Sequence, residues 1–283
     1  MSQLKEINVG EVTKAVRQLA MDANYYLPED VKGRLEESQK KEKWILASDT
    51  LGRIINNADL AAEEQLPMCQ DTGMAVVFVE LGQDVRLVGG SLEDAINEGV
   101  RQGYADGFLR KSVVEDPLNR VNTKDNTPAV INLKLVPGNT LRIQVAPKGF
   151  GSENMSQMTM LKPSDGLAGV KEFILKVCKE AGPNACPPIV VGVGIGGTFD
   201  KAAAIAKEAL MRPLDQPNAK PFYADLEAEL LEEINGLGIG PQGYGGQTTA
   251  IAVAIEYYPT HIAGLPVAVN INCHATRHKE ITL

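Results

Sequence analysis

Histidine is scarce in this sequence, with three in 283 residues, and there is a single tryptophan. Four cysteines, spread over the chain, are too few and too far apart for a disulfide-stapled scaffold. No Cys-x-x-Cys occurs, which removes the local zinc and ferredoxin patterns and the redox-active dithiol. No apolar run approaches the roughly 20 residues needed to cross a bilayer. The opening stretch, Met1 to Lys14, is polar and carries both charge signs, without the apolar segment of a signal peptide. Positive charge is also short: 28 Lys and Arg stand against 36 Asp and Glu, a formal net charge of −8. That balance argues against nonspecific binding to nucleic acid but leaves room for local cations that hold an acidic small molecule. Repeats and low-complexity runs are absent. The expectation is a cytoplasmic chain, off the membrane and off nucleic acid, whose thiols stay reduced.

What is present is an ordinary globular composition, 44% hydrophobic and 23% charged, long enough for an ample core. From Glu11 to about Glu64 the pattern is helical. Val12, Val16, Leu19 and Ala20 form one apolar stripe, and Leu51, Ile54, Ile55 and Leu60 a later one. A loop, Pro67 to Gly73, leads into a strand over Met74–Leu81, and Ser91 caps a helix from Leu92 to about Gly107. Alternating stretches at Ala129–Val136 and Thr140–Ala146, separated by Pro137-Gly138-Asn139, predict a hairpin. Further helices are expected over Gly166–Glu180, Lys201–Met211 and Phe222–Asn235. Strands are expected over Pro187–Val193, Thr248–Tyr258 and Pro266–Ile271, before a polar tail. The expected fold is α/β, a mixed sheet with surrounding helices. No flexible boundary is marked, so 1–283 reads as one domain with a helical N-terminal region over 1–65.

The cysteines divide into two kinds. Cys178 belongs to the stripe Val170, Phe173, Ile174, Val177, Cys178 and reads as a buried structural thiol. Cys69, Cys186 and Cys273 each lie in a loop at the edge of a regular element, beside Pro, Asn or Gly. Their separations of 117 and 87 residues match no local metal pattern, so three unrelated thiols and a joint site for a soft metal centre both stand. Three cysteines on an iron–sulfur cube would leave one iron with an exchangeable site, which suits Lewis-acid work more than electron transfer.

Two glycine-rich segments add alternatives. Lys148-Gly149-Phe150-Gly151-Ser152-Glu153-Asn154 can present successive backbone N–H groups to an anion, which makes Gly151 a candidate substrate contact, or it can be a turn needing positive φ. Gly192-Val193-Gly194-Ile195-Gly196-Gly197 fits the dinucleotide fingerprint and raises an NAD-dependent oxidoreductase as a distant alternative. Asp215 stands near the distance of the fingerprint's acid, yet Met211 to Pro217 contains no apolar strand to carry it.

Taken together, the three cysteine loops, Gly107-Phe108-Leu109-Arg110-Lys111-Ser112, Lys148–Asn154, the Gly192–Asp200 turn and Thr260-His261-Ile262-Ala263-Gly264 closely resemble the cluster-binding part of class I fumarate hydratases. The resemblance covers the chain from about residue 10 to its end. It implies that Cys69, Cys186 and Cys273 hold a [4Fe–4S] cluster with one iron not ligated by cysteine, and that the reaction is reversible hydration of fumarate to L-malate. L(+)-tartrate dehydratase, on a similar scaffold, is the alternative. Gln70 and Arg110 are implied as substrate contacts. Asp71, which a turn could employ merely on its own backbone, and His261 are implied as the groups that manage a proton. The sequence ends ten residues after Cys273, where single-chain members continue into a second domain. The resemblance therefore implies a separate β subunit carrying the base for the carbon proton and further cations, an α2β2 assembly, and a small dicarboxylate as substrate. A cluster-carrying scaffold without activity of its own is the non-enzymatic rival.

Overall fold

The computed structural model describes residues 4–283. In chain order the elements are β1 (Lys5–Asn8), α1 (Val9–Tyr25), α2 (Glu29–Lys41), α3 (Ile45–Glu64), β2 (Met74–Gly82), β3 (Val85–Val88), α4 (Leu92–Asp106), β4 (Val130–Val136) and β5 (Leu141–Lys148). They continue with α5 (Phe150–Glu153), β6 (Gln157–Leu161), α6 (Gly166–Ala181), β7 (Ile189–Gly196), α7 (Phe199–Ala209), α8 (Pro221–Asn235), β8 (Ala250–Tyr258), β9 (Leu265–Asn272) and β10 (Lys279–Thr282). The fold is α/β with mixed sheets. By its contacts the chain divides into two compact units, one of described residues 4–27, 57–150 and 277–283, the other of residues 28–56 and 151–276. Among the described residues no helix is long and apolar enough to cross a membrane.

In the first unit the sheet order is β10-β5-β2-β4. The stripe Val12, Val16, Leu19 and Ala20 of α1 is buried, packed with Ile96, Val100 and Tyr104 of α4 and with Val77, Val79, Ile143 and Val145 of the sheet. Glycines let the two helices approach: a Cβ at Gly99 would lie 2.7 Å from the Thr13 carbonyl oxygen, and one at Gly103 2.8 Å from that of Arg17. Asn8 caps α1 through Gly10 N, and Ser91 caps α4 through Asp94 N as expected.

Three expectations need correction here. The stretches around Pro137-Gly138-Asn139 do not form a hairpin: β2 lies between β4 and β5, parallel to one and antiparallel to the other. The loop joining them wraps the end of β2 instead, where Gly82 N donates to Thr140 O and Asp84 N to Gly138 O. The C-terminal tail is not merely polar but forms β10, paired antiparallel with β5. Of the second helical stripe, Leu51 and Ile55 are buried while Leu60 is 56% exposed.

In the second unit the order is β6-β9-β7-β8, with β7 parallel to β8 and antiparallel to β9. Val191 and Val193 on β7 pack in a core with Val170, Ile174 and Cys178 of α6 and Leu230 and Ile234 of α8. The other face of β7 is stripped to glycine so that α7 can lie against it. A Cβ on Gly192 would fall 2.2 Å from the Ala206 carbonyl oxygen, and one on Gly194 2.1 Å from that of Ala202. Gly194→Ala should therefore force α7 off the strand and cost about 3 kcal/mol. Gly33→Ala, in open space within α2, should stabilise by about 0.5–1 kcal/mol. Denaturant midpoints of the two variants check both signs.

Candidate active site

The candidate residues of the first unit gather on the loop between α3 and β2. Cys69 is half-buried, Gln70 exposed, and the Cys69 thiol donates to Gln70 Oε1 at 3.3 Å. The loop's backbone is held by donors from several directions. Met68 N donates to Asn24 O, and Asn57 Nδ2 to Met68 O. Arg277, 4% exposed, donates Nη2 to Asp71 O at 2.7 Å. The hydroxyl of Tyr104, fully buried on α4, is shared between the carbonyls of Thr72 and Gly73 at 2.7 and 3.0 Å. Burial pushes the Tyr104 phenol well above its ordinary value, the nearby Arg277 charge working the other way, so it remains a proton donor.

Asn126, also fully buried, donates to Gly73 O and accepts from Ser112 N. Thr72 Oγ1 donates to the carbonyl of Arg110, which ties that exposed residue to the same loop. Gly73 is required: its φ is +74°, and a Cβ there would lie 2.6 Å from Lys148 N. Asp71 does what an Asp in a turn commonly does, its Oδ1 accepting from Gly73 N at 2.9 Å. Its Oδ2 accepts from Phe150 N at 2.9 Å, so the carboxylate is held in one orientation with lone pairs to spare.

In the second unit Cys186 and Cys273 come together at one end of the sheet. Cys186 immediately precedes the approach to β7, and Cys273 follows the last residue of the antiparallel β9, whose Asn272 is in register with Val190. His274 N donates to Cys186 O at 3.2 Å, and His274 Nδ1 lies 3.0 Å from the same oxygen and 3.0 Å from Gln242 Nε2. Gln242 in turn donates both its backbone N and its Nε2 to Pro187 O, each at 2.8 Å. Gly151 lies beside the Cys186 loop, its nearest outside neighbour being Asn184 O. Behind it Glu153 is fixed by Lys207 and by Asn270 Nδ2.

His261 is elsewhere. It follows β8, whose last residue, Tyr258, pairs with Gly196 at the far end of β7, and Thr260 Oγ1 donates to Gly197 O there. Eight residues of strand, about 3.3 Å each or roughly 25 Å, separate that end from Cys186 and Cys273. Within one copy of this unit His261 does not join them. Of the glycines in the dinucleotide-like segment, Gly192 and Gly194 lie inside β7 and serve the approach of α7, Gly196 ends the strand against the Tyr258 carbonyl, and Gly197 forms the bend that follows. With Gly192 and Gly194 in the strand and packed under α7, the segment does not place its first two glycines in the turn that a dinucleotide site requires.

Sequence reasoning missed Tyr104, Asn126, Gln242 and Arg277, and assigned His274 nothing. For Arg277 and His274 a signal existed, four and one residues from Cys273. Tyr104, Asn126 and Gln242 carried none, since each acts across the fold.

The thiols separate by environment. Cys178 is 1% exposed in the core between α6 and α8, and burial pushes its thiol up to about 12, as fits a structural thiol rather than one presented to a ligand. Cys186 is exposed and holds φ +52°, ψ +63°, a left-handed conformation strained for any residue but glycine, kept by its N–H bond to Pro183 O. Such strain at an open thiol fits a residue presented to a ligand. Among the described residues no three His, Cys, Asp or Glu are gathered as a single metal ion would need. A multi-iron cluster spreads its ligands over several metal atoms and does not call for that arrangement.

Replacing Cys186 by Gly should leave the protein about 1 kcal/mol more stable than replacing it by Ala, read from denaturant midpoints. Arg277→Met should cost about 1–3 kcal/mol by leaving the Asp71 carbonyl without its donor. The same change should speed hydrogen exchange at Gln70–Gly73, with Arg277→Lys intermediate.

Comparison with known proteins gives one consistent answer. The family model described as Fumarate hydratase (Fumerase) matches residues 13–282. A Methanocaldococcus jannaschii protein named "Putative L(+)-tartrate dehydratase subunit alpha" is 44% identical over 277 residues, covering 94% of this chain and 95% of the relative. The L(+)-tartrate dehydratase subunit alpha of Escherichia coli K12 is 31% identical over 277 residues, covering 96% and 91%, and that of Shigella sonnei Ss046 is similar to the same extent. With nearly its whole length matched, the chain belongs to the fumarate hydratase (fumerase) family of hydro-lyases, the family that includes L(+)-tartrate dehydratase alpha subunits.

Proposed function

We propose that the chain is the alpha subunit of a two-subunit hydro-lyase that removes water from a small hydroxylated dicarboxylate, with L(+)-tartrate as the substrate its named relatives favour. Reversible hydration of fumarate to L-malate is the second reading, favoured by the description of the family model. The observation that carries the proposal is the contrast among the thiols. Three lie open or half-open in loops, one of them strained, while the fourth is sealed in a core.

Cys69, Cys186 and Cys273 would hold a [4Fe–4S] cluster with one iron free of cysteine. When bound, the cluster supplies a Lewis acid with an exchangeable site. The rest of the reading concerns the chain's own groups. Elimination breaks one C–O and one C–H bond. Asp71, oriented by Gly73 N and Phe150 N, keeps lone pairs with which to accept the proton of a substrate hydroxyl and return it. Arg110 is exposed and tethered through its carbonyl to the Asp71 loop, and its guanidinium can grip a carboxylate with two parallel bonds. Gln70, exposed beside Cys69, offers an amide to the substrate. Gly151, exposed and without a side chain, lets a substrate approach the backbone. His261, at the other end of its sheet from Cys186 and Cys273, is given no part among these groups.

These assignments leave two tasks without a residue: the base that takes the proton from carbon, and the cation for the second carboxylate. The companion beta subunit would supply both, in an α2β2 assembly.

Anaerobic reconstitution should give broad iron–sulfur absorption and about four irons per chain. It should fail in Cys69→Ala, Cys186→Ala and Cys273→Ala and succeed in Cys178→Ser. With its companion subunit the loaded chain should dehydrate L(+)-tartrate at least a thousandfold faster than alone, because groups that act as a unit lose several orders of magnitude when one is missing. Equal turnover by the isolated chain would refute the two-subunit reading, and faster turnover of L-malate than of tartrate would favour fumarate hydration.

A further inference from the structure

We infer that an exposed apolar patch formed by Trp44, Ile45, Leu46 and Tyr244 is the docking surface for the companion subunit, which meets it with an apolar recess rimmed by carboxylates. The inference rests on the two-subunit reading above and adds where, on the second unit, the partner sits.

The patch is well exposed and its backbone is tied down by hydrogen bonds. Trp44 is 55% exposed, Ile45 83%, Leu46 45% and Tyr244 59%. Trp44 Nε1 donates to Tyr244 O, which joins the start of α3 to the Gly238–Gly246 loop. Glu42 locks the same junction: Oε1 accepts from Lys43 N and Trp44 N, each at 3.0 Å, and Oε2 from Gln247 N at 2.7 Å. Gly246, at φ +114°, allows the approach, since a Cβ there would meet the Ala47 side chain at 2.7 Å. Aromatic and Ile side chains held in place and left in water are the composition of an interface centre, Trp and Tyr above all.

Continuity with the candidate site selects the occupant. The loop that carries Tyr244 also touches the Cys186 and Cys273 loops: Gln242 bonds Pro187 O and His274, and Gly243 lies against Pro183 of the Cys186 loop. A chain seated on Trp44 and Tyr244 would therefore reach the loops of Cys186 and Cys273, which is where the missing groups are needed. Ile262, the most exposed apolar side chain of the second unit, lacks this link. It lies beside His261, at the far end of the sheet. Leu118, 91% exposed, belongs to a loop of the first unit.

Charge narrows the partner further. Lys40, Lys41 and Lys43 are all exposed at the edge of the patch, and no other four-residue stretch of this acidic chain holds three Lys or Arg. Lys40 and Lys41 also complement the negative end of α2; Lys43 lies beyond it. A second copy of this chain across a two-fold axis would bring lysines against lysines. A different chain with carboxylates at its rim would not.

The test uses the full chain and its separately purified companion subunit. Ile45→Glu adds an acid to the first turn of α3, which has none, and is therefore compatible with the helix. It leaves the Trp44–Tyr244 bond in place. It should weaken association by roughly a hundredfold or more, measured by sedimentation and titration calorimetry, with circular dichroism unchanged. Leu118→Glu should leave association as in the wild type. Reversing Lys40, Lys41 and Lys43 to Glu should slow association and flatten its dependence on salt. Association that survives Ile45→Glu, or that Leu118→Glu abolishes, overturns the patch alone. Wild-type subunits that never associate overturn the two-subunit reading and the patch with it. A wild-type dimer of this chain that Ile45→Glu dissociates overturns the choice of occupant.

Discussion

The hydrogen bonds from the buried Tyr104 hydroxyl to the carbonyls of Thr72 and Gly73 are the constraint around which the first unit is arranged. A loop that presents reactive side chains must send its backbone polar groups inward, and each buried carbonyl then needs a donor. Tyr104 can be that donor only because α1 and α4 pack closely enough to bury it, and they do so through Gly99 and Gly103. Asn126 and Arg277 complete the same task from other parts of the chain. The side chains of Cys69, Gln70 and Asp71 inherit their directions from this backbone, so the candidate chemistry of the unit depends on residues that do none of it.

The second unit solves an equivalent problem at a strand end. Its central strand, β7, is lined by valines on one face and glycines on the other. One face joins a core between α6 and α8, and the other admits the backbone of α7. That double packing fixes where β7 begins, and hence where Cys186 stands. The loops on either side are then tied by polar contacts: His274 to Cys186, and Gln242 to Pro187 and to His274. The His274 ring nitrogen either donates to the Cys186 carbonyl or accepts from Gln242, according to its tautomer. The arrangement accommodates a strained left-handed Cys186 because its neighbours hold it there.

Much of the helical and strand content was legible because it depends on near neighbours. The stripes of α1 and α6, the cap of Ser91 on α4 and the burial of Cys178 all follow from spacings of three and four. The glycines of β7 show the limit of such reading. Their letters match a phosphate-binding turn, yet the same lack of a Cβ serves a helix laid on a strand, and only the position of α7 distinguishes the two. The supposed hairpin failed for a related reason: strand alternation specifies which face a residue takes, not which strand it pairs with, and β2 took the place between β4 and β5.

By itself the sequence determined the class of fold, which cysteine was core and which three lay in loops, and, through its resemblance, the family. These are matters of composition, local period and motif. The tertiary structure alone decided that Tyr104, Asn126 and Arg277 hold the Asp71 loop, that Gln242 and His274 hold Cys186, and that His261 stands a strand's length from Cys273. Each is a contact between residues far apart in sequence or a direction set by strand order. Such facts arise from how buried polar groups find partners once the core has formed, and no window of sequence contains both ends of the bond.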